Sequence, residues 1–431
     1  MLILLFLRLS LTFIFFNNVV LSCLDADDCN QNGVCSLPAG TCICDASWTG
    51  TSCQLLTLQP SSRGDGTCEP APGFAVARGA LTTWGGAPLL EASGSWALTV
   101  SEMANHCGMI EWGGCSQGAL WRATNASVVG PYERVGTVIG PYAHNVWPFR
   151  VNASLYLLFH IGIGCDSVGV HACNYTRMPT CTNGSTWPAK PPQGTHPVEN
   201  PSGLSRASLF TASEPAGPWS PAPRNWTLPI CSNNPTAVIL RNGSMMLMCH
   251  EPFAGLNCKP AVNYLYTATS LTRDWAFGAW AARCVHTNNP NVTVNNITFS
   301  AFNEDPHLFL DPRGGLHALT HNQGPCYSGA NASFYGADVR GCGGHMFSTD
   351  GGETWNFTWH AAYNGTVSFT DGTAVRYRRE RPKLVVDDNG SPIALATALS
   401  LNIFPEAFQP GEDAACTLVS KLGSGTGTQS E

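Results

Sequence analysis

The chain has 431 residues and a formal net charge of -7, and 12% of its residues are charged, against roughly 25% in ordinary soluble domains. It has no basic cluster, which excludes the electrostatic footprint of a nucleic-acid-binding protein. Its 44 Gly and 30 Pro favour a fold rich in strands and tight turns.

Residues 1–22 are apolar but interrupted by Arg8, Asn17 and Asn18, and small residues precede Cys23. This pattern predicts a signal peptide cleaved before Cys23, with an uncleaved anchor as the alternative. The 19 Cys suit an oxidising compartment, and twelve Asn-x-Ser/Thr sites permit N-glycans. The expected location is extracellular or lumenal.

Residues 23–53 carry six Cys, a Gly before the third and a Cys-Ile-Cys step. Spacing alone leaves fifteen pairings open. The unit resembles an EGF-like domain along its whole length. That resemblance implies the pairs Cys23 with Cys35, Cys29 with Cys42, and Cys44 with Cys53. It also implies a spacer or a module contacting an extracellular protein. The acidic start of calcium-binding EGF units is missing, so no calcium is expected. Residues 54–72 read as a Pro-, Ser- and Gly-rich linker. Arg63-Gly64-Asp65 within it is the tripeptide that integrins read, and is taken as a chance match.

From 73 to 420 one pattern recurs: a polar or small cap, a strand, a tight turn and a second strand. It begins near Ala87, Trp147, Asn234, Asn303 and Arg381. Four of these hairpins are followed by a second strand pair, as in ALWRATNASVVGPYERV and GGHMFSTDGGETWNFTW. Two hairpins make a four-stranded antiparallel sheet. A repeat of such sheets predicts an all-β fold, a five-bladed β-propeller, because one sheet cannot bury both faces alone. The fifth blade lacks its second hairpin, so Phe74–Leu81 is expected to supply its outer strand. Ser348-Thr349-Asp350-Gly351-Gly352-Glu353-Thr354-Trp355 matches the Asp-box pattern, a structural turn. Residues 421–431 read as a disordered tail.

Along about residues 73–400 the blade anchors EDPHLFLD, GLHALTH and RERPKLVVDD resemble the five-bladed propellers of glycoside hydrolase family 43. The resemblance implies an Asp base in blade one, a second Asp in blade two and a Glu acid in blade three. The matching places here read Gly85-Gly86-Ala87, His144-Asn145 and Asn233-Asn234, none a carboxylate.

Hairpin geometry offers another set, since strand starts and second-strand ends lie side by side at one mouth of the channel. Glycoside hydrolysis needs one protonated carboxyl and one carboxylate. Glu304 and Glu380 are the expected pair, with Glu102 as substitute and Asp305 as a neighbour that orients or shifts a pKa. Arg381, His144, Asn145, Asn234, His106, His160, His250 and His321 are the expected substrate contacts. The histidines lack metal-ligand spacing, so neither metal nor cofactor is expected. Two functions stay open: a secreted glycosidase, or a glycan-binding or adhesive protein on a silent propeller. Outside the EGF-like unit 13 Cys remain, with Cys107–Cys115, Cys249–Cys258 and Cys326–Cys342 as plausible pairs.

Overall fold

The computed structural model describes residues 23–70, 81–109, 112–141, 143–162, 207–223, 233–250, 263–268, 281–285, 287–288, 291–294, 297–300, 303–322, 342–387, 389–400 and 414–423. The EGF-like unit holds two short hairpins, β1 (Gly33–Ser36) with β2 (Thr41–Cys44) and β3 (Trp48–Thr49) with β4 (Leu55–Leu56). Blade one is β5 (Thr83–Leu90), β6 (Trp96–Met103), β7 (Ser116–Ala123) and β8 (Tyr132–Ile139). Blade two is β9 (His144–Asn152), β10 (Leu155–Ile161), β11 (Ala207–Ala212) and β12 (Ser220–Pro221). Blade three is β13 (Asn233–Ile239), β14 (Met245–His250), β15 (Asn263–Ala268) and β16 (Ala281–Cys284). A separate hairpin, β17 (Asn291–Val294) with β18 (Ile297–Ser300), precedes blade four. That blade is β19 (Asn303–Leu310), β20 (Leu316–Asn322), β21 (Cys342–Ser348) and β22 (Asn356–Tyr363). After the hairpin of β23 (Thr366–Ser368) and β24 (Ala374–Arg376), blade five has β25 (Arg378–Val386), β26 (Pro392–Ser400) and β27 (Ala415–Lys421).

Within each blade the strands pair antiparallel in chain order. The first strands pack one on the next, β5 on β9, β9 on β13, β13 on β19, β19 on β25, and β25 back on β5. The result is a closed five-bladed propeller. Each blade packs both faces of its second strand, which explains why Leu98 and Val100, Leu157 and Leu158, Leu247 and Met248, Ala318 and Leu319, and Leu395 and Ala396 are all buried. In β10, Leu157 and Phe159 pack towards blade three while Tyr156 and Leu158 pack towards blade one. Alternate side chains of one strand thus serve two interfaces.

The ring closes through its ends. Among the described residues blade five has three strands, and the expected outer strand at Phe74–Ala80 lies outside them. The segment read as a linker runs along β27 instead. Thr67 donates its N–H to Thr417 O (2.9 Å), Gln59 donates to Lys421 O (2.9 Å), and Leu58 bridges Leu422. A disulfide joins Cys68 to Cys416. Lys421 ends a strand and Gly423 donates to Thr57 O, so 421–423 are not the start of a tail. Asp65 is buried, and Arg63 pairs with Asp371 (2.6 Å), so the Arg-Gly-Asp tripeptide is part of this clasp.

The EGF-like unit forms the three disulfides that the resemblance implied. It is packed into the propeller, since Trp48, Cys53 and Leu56 share a core with Phe309, Tyr363, Leu384 and Leu395 of blades four and five. Ser47 donates to Pro392 O (2.8 Å), and Arg313 spans Asp45 (2.6 Å) and Asp311 (2.8 Å). Cys107, Cys249 and Cys342 are each in a disulfide. Cys107 is bonded to a cysteine other than Cys115, whose side chain packs in the core beside Trp84 and Met103. Cys258 and Cys326 lie outside the described residues.

Candidate active site

Every first strand carries one extra residue near its start. In blade one Trp84 faces Ser101 and Ala87 faces Thr99, and the same skip recurs at 144–147, 233–236, 304–307 and 380–383. An unpaired residue on one strand of an antiparallel pair is a β-bulge. Its first residue is Gly85, Asn145, Asn234, Asp305 or Arg381, with φ of 67°, 51°, 47°, 55° and 55°. Gly, Asn and Asp take this left-handed conformation at least cost, which explains four of the five residues.

The five bulges meet on the channel axis. Asn145 donates from Nδ2 to Asn234 Oδ1, Asn234 donates from Nδ2 to Asp305 Oδ1 (2.5 Å), and the Arg381 guanidinium pairs with Asp305. The space left among them is about 20 Å³, room for about one water. The channel is therefore closed by a ring of side chains.

On the outer side of this ring, Glu304, Asp305 and Glu380 surround His321. Glu304 Oε2 lies 3.9 Å and Asp305 Oδ2 3.8 Å from Nδ1, and Glu380 Oε1 lies 3.8 Å from Nε2. Register explains the grouping, because Glu304 sits opposite His321 in the β19–β20 ladder. Among the described residues neither ring nitrogen of His321 has a hydrogen-bond partner, and the ring is fully buried. Glu380 is held by Arg378, and the Glu304 side chain keeps 17% of its exposure.

Burial governs the protonation states here. It pushes Asp305 up to about 7, against the pull of Arg381 and with help from Glu304 and Glu380. Burial also raises Glu380, although Arg378 and Arg381 oppose it. His321 falls to about 4 because burial outweighs the carboxylates beside it. Near neutral pH the cluster thus keeps a proton on a carboxyl group in preference to the imidazole. Asp305, His321 and Glu380 could each offer one metal donor within 4.8 Å of one another. Both carboxylates are already paired with arginine.

The other expected contacts divide. Asn145, Asn234 and Arg381 belong to the ring. Glu102 does not reach the channel: Arg134 grips it through two hydrogen bonds (2.8 Å each) and Gln117 donates a third (2.8 Å), so its carboxylate faces the outer strands of its own blade. His144 is buried against Trp112 and bonded to Ser116 Oγ (2.8 Å). His160 is buried against Phe210. Burial lowers both, His160 to about 4. His106 is exposed on the turn after β6. His250 ends β14 opposite Asn233, and its side chain is not described. The reason is alternation: of the polar residues at one end of a strand, half face a neighbouring blade. Arg378 and the bulge ring were missed. Five matched dipeptides, Gly-Gly, Asn-Val, Asn-Pro, Asp-Pro and Arg-Pro, were the available signal for the ring.

The structure defines a class: a five-bladed propeller with an EGF-like unit built into its side. Residues 26–55 match the family model for the Teneurin-like EGF domain. No curated protein matches the chain. Among solved structures, an endo-arabinase from Bacteroides thetaiotaomicron is 10% identical with a TM-score of 0.42, covering 81% of this chain and 96% of that one. A family 117 glycoside hydrolase from Zobellia galactanivorans is 11% identical with a TM-score of 0.44, covering 90% and 92%. Among the described residues no helix is long and apolar enough to cross a membrane.

Proposed function

We propose that the protein is a secreted or lumenal carbohydrate-active protein that hydrolyses a glycoside at the channel mouth. The observation that carries this reading is the gathering of Glu304, Asp305 and Glu380 around His321, with protons retained by burial and Glu304 opened to solvent. Glu380, raised by burial, is the proton donor to the leaving oxygen. Glu304 is the carboxylate that activates water or attacks the sugar. Asp305 fixes Arg381, whose guanidinium is the contact for a hydroxyl pair or an acidic sugar. The disulfides support an extracellular address. The exposed Val34 and Ile43, paired across β1–β2, offer the EGF-like unit a surface for an extracellular protein.

Glu304→Gln in the full chain, assayed on a panel of aryl and natural glycosides, is expected to lower kcat by about 100-fold or more. Unchanged turnover would remove Glu304 from the chemistry. A second reading, glycan binding without turnover, is favoured by the arginine pairing of both Asp305 and Glu380. Glycan binding by the unaltered chain with no turnover on any member of the panel would establish that reading.

A further inference from the structure

An N-glycan is bulky and hydrated, so a folded chain accommodates one only where the Asn Nδ2 stands in water and the protein makes no use of it. The structure describes the side chains of six sequon asparagines and sorts them by that condition: Asn125, Asn152, Asn242, Asn356, Asn364 and Asn389. Asn356 is half-buried and accepts from Asn288 Nδ2 (3.0 Å), and its Thr358 is buried, with the hydroxyl donated to Asn30 of the EGF-like unit (2.8 Å). Asn125 donates its Nδ2 to Gly130 O (3.1 Å). Asn389 is followed by Pro392, which stiffens the chain directly behind its Ser391.

Asn152 and Asn242 meet the condition. Both are exposed, and each lies in the turn of a first hairpin, β9–β10 of blade two and β13–β14 of blade three. Each Oδ1 accepts from the N–H and the hydroxyl of the Ser two residues on: Ser154 for Asn152 (2.9 and 3.3 Å) and Ser244 for Asn242 (2.9 and 2.6 Å). This Asx-turn fixes the amide by its oxygen. Among the described residues neither Nδ2 has a partner, so each is left to the solvent. Asn364 accepts from the Thr366 N–H (2.9 Å), but it follows Tyr363 at the mouth end of the blade.

The two turns stand at the end of the propeller away from Glu304. The inner strands of all five blades enclose a space of about 530 Å³ that opens there, and Val151 and Ile239, close to the two sequons, are on its wall. Leu90 and Val386 line the same opening and are exposed. An exposed apolar rim of this kind favours association.

We propose that Asn152 and Asn242 carry N-glycans, and that these keep other copies of the chain off the apolar end of the channel. In the transfer, Nδ2 forms a bond to the anomeric carbon of an oligosaccharide and loses one proton, while the bond from that carbon to the diphosphate of a polyprenyl donor breaks. The proposal rests on the lumenal address given above and not on hydrolysis.

The test takes the full-length chain from the medium of a eukaryotic host and maps its peptides by mass spectrometry after peptide N-glycosidase, which converts each glycosylated Asn to Asp. Asn152 and Asn242 are expected to be converted in most molecules and Asn356 in none. The unaltered chain is expected to sediment as a monomer. With Asn152→Gln and Asn242→Gln together, the sedimentation coefficient is expected to rise with concentration, and Val386→Lys added to that pair to restore the monomer. Should the double variant not fold, removal of the glycans from the folded chain takes its place. The proposal is overturned if either Asn is unmodified in the secreted chain, or if the chain without these glycans stays monomeric. A chain that never reaches the medium removes the address and the proposal with it, whereas absence of glycoside turnover touches neither.

Discussion

Several histidines of this chain are inside and neutral. His144, His160, His307, His321 and His345 are all buried, and burial depresses each of them. For His160, a fall from 6.5 to about 4 corresponds to on the order of 3 kcal/mol. Below pH 6.5 the unfolded chain takes up these protons before the folded chain does, so stability falls as pH drops from about 6.5 towards 4. Asp305 and Glu380 act in the opposite sense, because their raised pKa values let the folded state hold extra protons over much of that range. With six depressed histidines, His360 included, against three raised carboxyls, Asp65 included, the melting temperature is expected to fall steadily between pH 6.5 and 4.5. Calorimetry at three pH values checks this, and a flat or rising Tm would contradict it. At this scale Glu304, Asp305, Glu380 and His321 were legible, because a carboxylate pair beside a turn stands out among so few charges. Glu102 and His160 were equally legible as polar strand ends and were misplaced, since sequence does not state which face a strand turns to its neighbour.

Among the elements, the Asp-box hairpin is the clearest local structure. Asp350 accepts from the Thr354 N–H (2.9 Å) and from its hydroxyl (2.6 Å), Ser348 Oγ accepts from the Gly352 N–H (2.7 Å), and Trp355 is buried beneath with Met346 and Phe357. Asp350→Ala is expected to cost about 1 to 2 kcal/mol through the lost turn bonds. Catalytic constants measured on any glycoside the chain turns over should stay unchanged. A loss of turnover at full folding would mean that this turn serves the site. The five first hairpins were readable because each has a strand, a turn and a strand within about twenty residues. Strand β27 is hard to recognise in the sequence: ACTLVSK is short, and its partner β26 lies across a segment outside the described residues. The bulges escaped for a related reason, since a one-residue skip is defined only against the partner strand.

At the scale of the whole molecule, ring closure depends on contacts between distant parts of the chain. Cys68 and Cys416 are 348 residues apart in sequence, and the segment 57–68 is bonded along β27. A loop that long places the stabilisation near the upper end for a disulfide, about 5 kcal/mol. Replacing both cysteines with serine is expected to lower Tm by several degrees while leaving the EGF-like disulfides intact, as calorimetry and peptide mapping would show. An unchanged Tm would assign closure to the backbone bonds alone. The EGF-like unit ties blades four and five together, as Trp48 packs at a tilt against His345 (5.1 Å), which shares a hydrogen bond with His317 (2.9 Å). Read alone, that unit was a spacer on a linker; packed, it is a wedge between blades four and five.

The sequence by itself determined the all-β class, the repeated hairpins, the Asp-box turn and the acids at blade four, because turn chemistry and strand alternation are local properties. The EGF-like pairing was implied by the resemblance of that run to a known domain, not by its spacing. Only the tertiary structure decided that the linker is a clasp, that Glu102 belongs to Arg134 and that five bulges close the channel. Those outcomes depend on which residues meet across hundreds of positions, and packing fixes that meeting by burying both faces of every blade at once.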